Sequence, residues 1–399
     1  MSFTGNPTGN LPEGGPLGLA IDTTFDDTSV AILRGRRKVL ANLTLSQYAD
    51  HAEFGGVVPE RASRRHLEVI QRLIGDALAR AREDSHRGTP SGTHDDVSGV
   101  SGAVSGGAPG EAAPVSLAAL DYVAVSNLPG LMGSILVGMT VAKSLSYLLE
   151  VPLIGINHIE AHPYANVIAH GEPAFPLIHL VAAGGHTLLI HQREHFDWEI
   201  VGRSVDDAAG ECVDKVAKMF GHPMPGGPVV DRLAMTHQPG PYHFPRPMLN
   251  APGLDFSFSG LKTAMLYLLR KEGLLEEVAG KNRRPGSVRV TRAAKEGTLE
   301  GPLLAAFFAA VCDVLVAKTL CAAREFGVDT VTLSGGLAAS AKLRERFQEA
   351  CAEAGLRLLV PPPGLCTDNA AMVGCLAAFR YEAGRLDDLS LEGYPNLPM

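Results

Sequence analysis

Residues 120–157 place two β-rich runs, "LDYVAVSN" and "PLIGIN", on either side of a long apolar helical pattern, "GSILVGMTVAKSLSYLLE", entered through a Gly-rich turn. Alternating strands and helices bury their apolar faces only by stacking helices on a sheet, so this succession commits the chain to an α/β architecture. The pattern recurs downstream in a hairpin-like "LIHLVAAGGHTLLIH", a helix "DDAAGECVDKVAKMFG" and the strand, turn and helix of "VDTVTLSGGLAASAKLRERFQEA". Glycine pairs stand at strand ends, where α/β sheets open toward ligands. Upstream, "LGLAIDTTFDDTSVAIL" at 17–33 reads as a hairpin around the polar turn Asp22 to Thr28. A helix is predicted from about Pro59, with Leu67, Ile70, Leu73, Ile74 and Leu78 on one face. There is no short-period repeat, although each half begins with a hairpin.

At 399 residues and 46% hydrophobic content, the chain can bury a large core and is expected to form two lobes. A formal charge of −8 argues against a surface built throughout to attract phosphate backbones, so any nucleic-acid contact is local or shared with a partner. Two basic clusters, Arg34, Arg36, Arg37, Lys38 and Arg61, Arg64, Arg65, read equally as solvated faces. Six scattered cysteines without a CxxC pair suit a reducing compartment. "MSFTGNPTGNLPEGGPLG" lacks the basic and apolar regions of a secretory signal and reads as a tail. The most apolar segment, "PLLAAFFAAVCDVLVAKTLCAA", is interrupted by Asp313 and Lys318, which favours a buried helix over a membrane span. A cytoplasmic protein with no membrane partner is expected.

Residues 84–116, rich in Gly, Ser, Ala and Pro, hold too few large apolar side chains to offset ordering entropy and read as a disordered insertion.

In "GINHIEAHPYAN", His158 and His162 are four residues apart and share a helix face, so both rings can address one metal ion; an incidental surface pair is the alternative. Glu160 is the second residue after His158, a helical step of about 100° from the base position of HExxH, which weakens a peptidase reading. A two-His site needs a further ligand, and a carboxylate suits a catalytic Zn or Fe ion with open positions. Asp368 in "CTDNAAM" is the candidate; alternatively Asp368 or Asn369 is the N-cap of the helix that follows.

Gly184 and Gly185 in "VAAGGHT" would let backbone N–H groups approach an anion. Gly335 and Gly336 in "LSGGLAAS" lie between strand and helix, where a nucleotide can approach the backbone and a helix N-terminus favours phosphate. Gly226 and Gly227 in "MPGGPVV" repeat the arrangement. Neither GxxxxGK[ST] nor GxGxxG is present, which disfavours Walker-type and Rossmann-type binding. Asp214 either joins i,i+4 pairs, Glu211–Lys215 and Asp214–Lys218, on an exposed helix or accepts from ribose hydroxyls. Asp22, Asp26 and Asp27 are hairpin-turn residues that alternatively supply a proton acceptor or a metal helper.

Taken in order, "HAEFGGVVPERASRRH", "NHIEAH", "AGGHT", "DDAAGECVDKVAK", "PGGP", "FSFSGLKTA" and "TDNAAM" closely resemble the tRNA N6-adenosine threonylcarbamoyltransferase family, once labelled glycoprotein endopeptidases. The likeness runs from about residue 17 to about 390, outside 84–116. It implies the actin/sugar-kinase/Hsp70-like fold, with two related lobes around a nucleotide cleft. The expected division is a tail at 1–16, a first lobe over 17–156 completed by 369–399, and a second lobe over 157–368. The implied reaction transfers threonylcarbamoyl from threonylcarbamoyl-AMP to N6 of adenosine 37 in tRNAs reading codons that begin with A. The implied metal ligands are His158, His162 and Asp368, holding one divalent ion, Fe(2+) ahead of Zn(2+). The implied substrate residues are Val181, Ala182, Ala183, Gly184, Gly185, Asp214 and Gly227. Two motifs depart. "GGLAAS" puts Ser340 where the family's Asn touches substrate, and "IDTTFDDT" replaces "IETSCDET", shortening two carboxylate arms.

Asp26 or Asp27 is the expected catalytic carboxylate that deprotonates or orients the amine. An inactive paralogous subunit and a small ATPase are expected as partners beside tRNA. The competing readings are a metallopeptidase and a nucleotide-binding scaffold without catalysis.

Overall fold

The computed structural model describes residues 14–51, 54, 56–87, 115–277, 288–291 and 299–397. Two compact units divide the chain: Met1–Gly171 with Asp368–Met399, and Glu172–Thr367. The sequence reading placed the first boundary at 156/157 and carried 157–171 into the second lobe. The residues after β5 instead pack on the C-terminal helix Ala370–Glu382, where Tyr164 stacks edge-on to Phe379 at 5.5 Å and Glu160 pairs with Arg380 at 2.9 Å.

In the first unit, β1 (Leu17–Asp22), β2 (Asp27–Arg34), β3 (Lys38–Ser46), β4 (Tyr122–Leu128) and β5 (Leu153–Asn157) form one sheet in the order β3-β2-β1-β4-β5. The first three strands meander antiparallel, with Leu17 opposite Arg34 and Asp22 opposite Ser29, while β4 and β5 run parallel to β1. Every residue of β1 is buried, as strands covered on both faces require. Helices Pro59–Arg87 and Met132–Leu149 cover one face, where Leu19, Ile21, Ile32, Val123 and Ile135 share a core with Ile70, Leu73, Ile74 and Leu78. Leu67, expected on that face, is exposed; its neighbour His66 is buried instead. Ala370–Glu382 lies on the other face, closely enough that a Cβ on Gly374 would stand 2.4 Å from Leu33 Cδ1.

The second unit repeats this plan. β6 (Leu177–Ala182), β7 (Thr187–Glu194) and β8 (Asp197–Arg203) meander antiparallel. After a short pair, β9 (Leu275–Glu277) and β10 (Val288–Val290), the strands β11 (Thr330–Ser334) and β12 (Arg357–Leu359) add parallel to β6, giving β12-β11-β6-β7-β8. Both sheets therefore place their strands in the order third, second, first, fourth, fifth. The apolar helix Glu300–Phe326 is long and apolar enough by composition to cross a membrane, as is Met132–Leu149, yet 78% of its most apolar window is buried in the unit's core. Its interrupting charges are bound: Asp313 takes Arg246 and Arg346 at 2.7 Å each, and Lys318 donates to Ala251 O at 3.1 Å and Gly253 O at 2.6 Å.

The expected tail lies outside the described residues over 1–13, and the expected insertion over 88–114. At the insertion's margins the helix continues to Arg87, and Val115 is buried with its carbonyl accepting from Arg82 Nε at 2.6 Å.

Candidate metal centre and glycine loops

β5 ends at Asn157, whose side-chain oxygen accepts from Ile159 N at 2.9 Å and Glu160 N at 3.4 Å. This cap starts the single helical turn His158–Ala161 at the strand's end, and His162 continues it with helical φ and ψ. The two imidazoles consequently stand together, ring centroids 4.8 Å apart at 81°. Asp368 comes from the other end of the unit's sequence, just ahead of Ala370–Glu382. Asn369, not Asp368, caps that helix, accepting from Met372 N at 3.1 Å.

Asp368 Oδ1 lies 3.6 Å from His158 Nε2 and 3.5 Å from His162 Nε2, and ligand atoms of the three residues fall within 4.8 Å of one another. These separations are long for hydrogen bonds, yet near the edge of about 3.4 Å expected between ligands bonded at about 2.1 Å around a tetrahedral ion. The donor set fits a divalent cation. An outer carboxylate fits it too: Asp22 Oδ2 accepts from His158 Nδ1 at 2.7 Å, which leaves Nε2 as the nitrogen that would face an ion. Asp22 is itself fixed, its Oδ1 accepting from Thr24 N at 3.1 Å and Thr24 Oγ1 at 2.8 Å. The shortened arm at position 22 still reaches the ring. Burial alone would lower the His158 pKa, but Asp22 and Asp368 outweigh it and raise it to about 10. A cation bound here by His158 would have to displace a proton.

Asp26 and Asp27 border this group. Burial, then the charge of Asp368, raises the Asp26 pKa, with His51 opposing. Burial, then Asp26 and Asp368, raises Asp27 to about 8. Asp27 Oδ1 has no hydrogen-bond partner among the described residues. The turn carrying both is tied down by His66, whose Nε2 donates to Phe25 O at 3.0 Å while Nδ1 accepts from Thr28 Oγ1 at 2.8 Å. Sequence reasoning gave His66 no role; its place at the end of "HAEFGGVVPERASRRH" was the available signal.

In the second unit, Val181 and Ala182 end β6, and Ala183, Gly184 and Gly185 make the turn into β7. Gly184 and Gly185 are exposed, and a Cβ on either would meet nothing within 4 Å. Beneath the turn, a Cβ on Gly210 would stand 2.6 Å from Ala183 O, and one on Gly335, at φ +86°, 2.5 Å from Ala182 C. The start of helix Ala209–Met219 and the end of β11 therefore grip the loop backbone from two sides. Asp214 Oδ1 accepts from Gly226 N at 2.7 Å and Gly227 N at 3.2 Å instead of forming the expected pair with Lys218, whereas Glu211 and Lys215 do pair at 2.8 Å.

The helix N-terminus after Gly335 and Gly336 does not present itself to a phosphate as expected. Asp231 Oδ1 accepts from Ser340 Oγ at 2.6 Å and Lys342 N at 2.9 Å, its Oδ2 accepts from Ala341 N at 2.9 Å, and Ser340 Oγ accepts from Leu343 N at 3.1 Å. A carboxylate of the chain already occupies the positive end of helix Ala341–Ala354. Sequence reasoning missed Asp231.

Residues 38–85 and 111–375 match the tRNA N6-adenosine threonylcarbamoyltransferase family. The tRNA N6-adenosine threonylcarbamoyltransferase of Symbiobacterium thermophilum is 40% identical over 97% of this chain and 97% of its own length. That of Geobacter sulfurreducens is 39% identical over 96% of each. Among solved structures, HypF of T. kodakarensis aligns with TM-score 0.53 at 14% identity, over 93% of this chain and 49% of its own, a likeness of fold alone. The family match takes in most of the chain, through the His pair and Asp368, and the relatives nearly all of it, so this chain belongs to the tRNA N6-adenosine threonylcarbamoyltransferase family.

Proposed function

We propose that the protein transfers the threonylcarbamoyl group from threonylcarbamoyl-AMP to N6 of adenosine 37 in tRNAs reading codons that begin with A, in the cytoplasm and with a divalent cation, Fe(2+) or Zn(2+), on His158, His162 and Asp368. The observation that carries this reading is that group of three ligands in a chain of this family. The N6 amine attacks the carbamoyl carbon, the bond from that carbon to the phosphate oxygen breaks, and AMP leaves. An exocyclic amine is a weak nucleophile, so the donor must arrive activated and be held in line. The cation supplies Lewis acidity for oxygen atoms gaining charge. Gly184 and Gly185 offer backbone donors for the adenylate phosphate, and their lack of Cβ leaves the approach open. Val181 to Ala183 shape the loop, and Asp214, fixed on Gly226 and Gly227, accepts from the donor's hydroxyls. Ser340 caps its helix, and with its shorter side chain reaches the substrate through a water molecule. Asp26 or Asp27 receives the amine proton.

Three of the six arginines of the basic clusters have local acidic partners: Arg36 with Glu382, Arg64 with Glu60, and Arg65 with Asp50 and Glu68. With a net charge of −8, this supports shared tRNA binding with helper subunits, an inactive paralogue and a small ATPase. The test is reconstitution with threonine, bicarbonate, ATP, tRNA and the adenylate-forming enzyme. Modified adenosine is expected with wild type. The Asp26→Ala/Asp27→Ala variant should lose about a hundredfold or more in rate, and an undiminished rate would remove both carboxylates from the chemistry. Chelator-sensitive peptide cleavage without transfer would favour a metallopeptidase. Against that, Glu160 is held by Arg380.

A further inference from the structure

The two ends of helix Ala370–Glu382 do different work. Its N-terminal end is pinned to the sheet: Ala370 N donates to Ser29 Oγ at 2.8 Å and Ala371 N to Asn42 Oδ1 at 3.3 Å, fixing where Asp368 emerges. Near the other end, Arg380 Nη1 donates to Gly155 O at 2.9 Å and Nη2 to Glu160 Oε2 at 2.9 Å. Gly155 is held on its other side as well, its N–H donating to Asp387 Oδ2 at 2.8 Å. One rigid helix, with about 15 Å between residues 370 and 380, thus holds both the strand end and the turn that carry the histidines, and the segment that carries Asp368.

Glu160 lies two residues from each histidine, about 200° around the turn, so its side chain leaves the back of the turn while the imidazoles leave the front. It is 6% exposed, and its partner Arg380 23%. A buried ion pair of this kind is a poor source of net stability, because desolvation offsets much of the attraction, but it fixes register. From this geometry we infer that Arg380 and Glu160 are positioning residues for the metal group: the pair sets the rotation of the His158–Ala161 turn against Asp368 and so tunes cation affinity without touching the ion. The inference rests on the ligand assignment proposed above.

The test titrates the metal-stripped full-length chain with Co(2+), reading the visible spectrum and the affinity by competition with a chromophoric chelator. Wild type should bind one Co(2+), and His158→Ala should abolish it. Arg380→Met and Glu160→Gln should each weaken binding about ten- to a hundredfold, the range for groups behind metal ligands, and change the ligand-field bands. Arg380→Lys, which keeps a cation facing Glu160, should recover part of that loss. Arg36→Met removes the pair with Glu382 and the stacking on Phe379 at 4.2 Å from the same helix, and should leave affinity unchanged. Wild-type affinity and spectrum in both Arg380→Met and Glu160→Gln would overturn the inference, as would an equal loss in Arg36→Met. Binding that survives His158→Ala would instead overturn the ligand assignment, and the clamp with it.

Discussion

At the scale of single residues, two buried histidines, one in each unit, are treated oppositely. His158 has two carboxylates, which in the absence of a cation raise its pKa to about 10. His179, on β6, has none: its Nε2 donates to Gln192 Oε1 at 2.6 Å and its Nδ1 lies 2.5 Å from the Thr332 hydroxyl, both of them neutral partners. Burial lowers its pKa to about 4, with the Gln192 bond opposing. A histidine depressed from about 6.5 leaves the unfolded chain binding more protons between pH 6.5 and 4, so stability falls as pH drops through that window. From pH 7.5 to pH 5 this residue should remove about 2 kcal/mol of stability. Urea unfolding of wild type and His179→Gln at both pH values checks it. The acid loss should be smaller in the variant by about that amount, whereas equal losses would show that His179 does not govern this window.

Among elements, the glycine loops divide into those that need glycine for packing and those that leave space. Gly335, at φ +86° with backbone atoms of Ala182 and Ala183 at 2.5–2.7 Å from a built Cβ, has no room for a side chain, whereas Gly336 meets nothing within 4 Å. Gly335→Ala is therefore expected to cost about 2–4 kcal/mol and to displace the 182–185 turn, while Gly336→Ala costs about 1 kcal/mol or less. Thermal unfolding of both variants separates them, and equal costs would contradict the packing described. The sequence showed that glycine pairs stood at strand ends, since composition and periodicity mark such places. It did not show which glycine was gripped, because that depends on Gly210 and Gly335 meeting Ala183 and Ala182 across long separations. Asp231 was hidden for the same reason: a carboxylate on the helix Gly227–Thr236 caps another helix at Ser340, and no local pattern announces it.

Across the whole molecule, the strand–helix succession made the α/β class legible, and the family motifs carried the rest of the fold. The identical strand order of the two sheets was not legible, since sheet order depends on pairings such as β1 with β4 and β6 with β11 that local periodicity does not encode. The boundary at 156/157 was misplaced because His158 to Gly171 carry no compositional break; only their packing on Ala370–Glu382 assigns them to the first unit. That assignment also places all three proposed ligands within a single unit, where one sheet and one helix set their spacing. The measurement that bears most directly on the account is metal content per chain together with threonylcarbamoyl transfer to tRNA, on wild type and on His158→Ala. One divalent ion per wild-type chain is predicted, with both ion and transfer lost in the variant. Full transfer by a His158→Ala chain that carries no metal would contradict it.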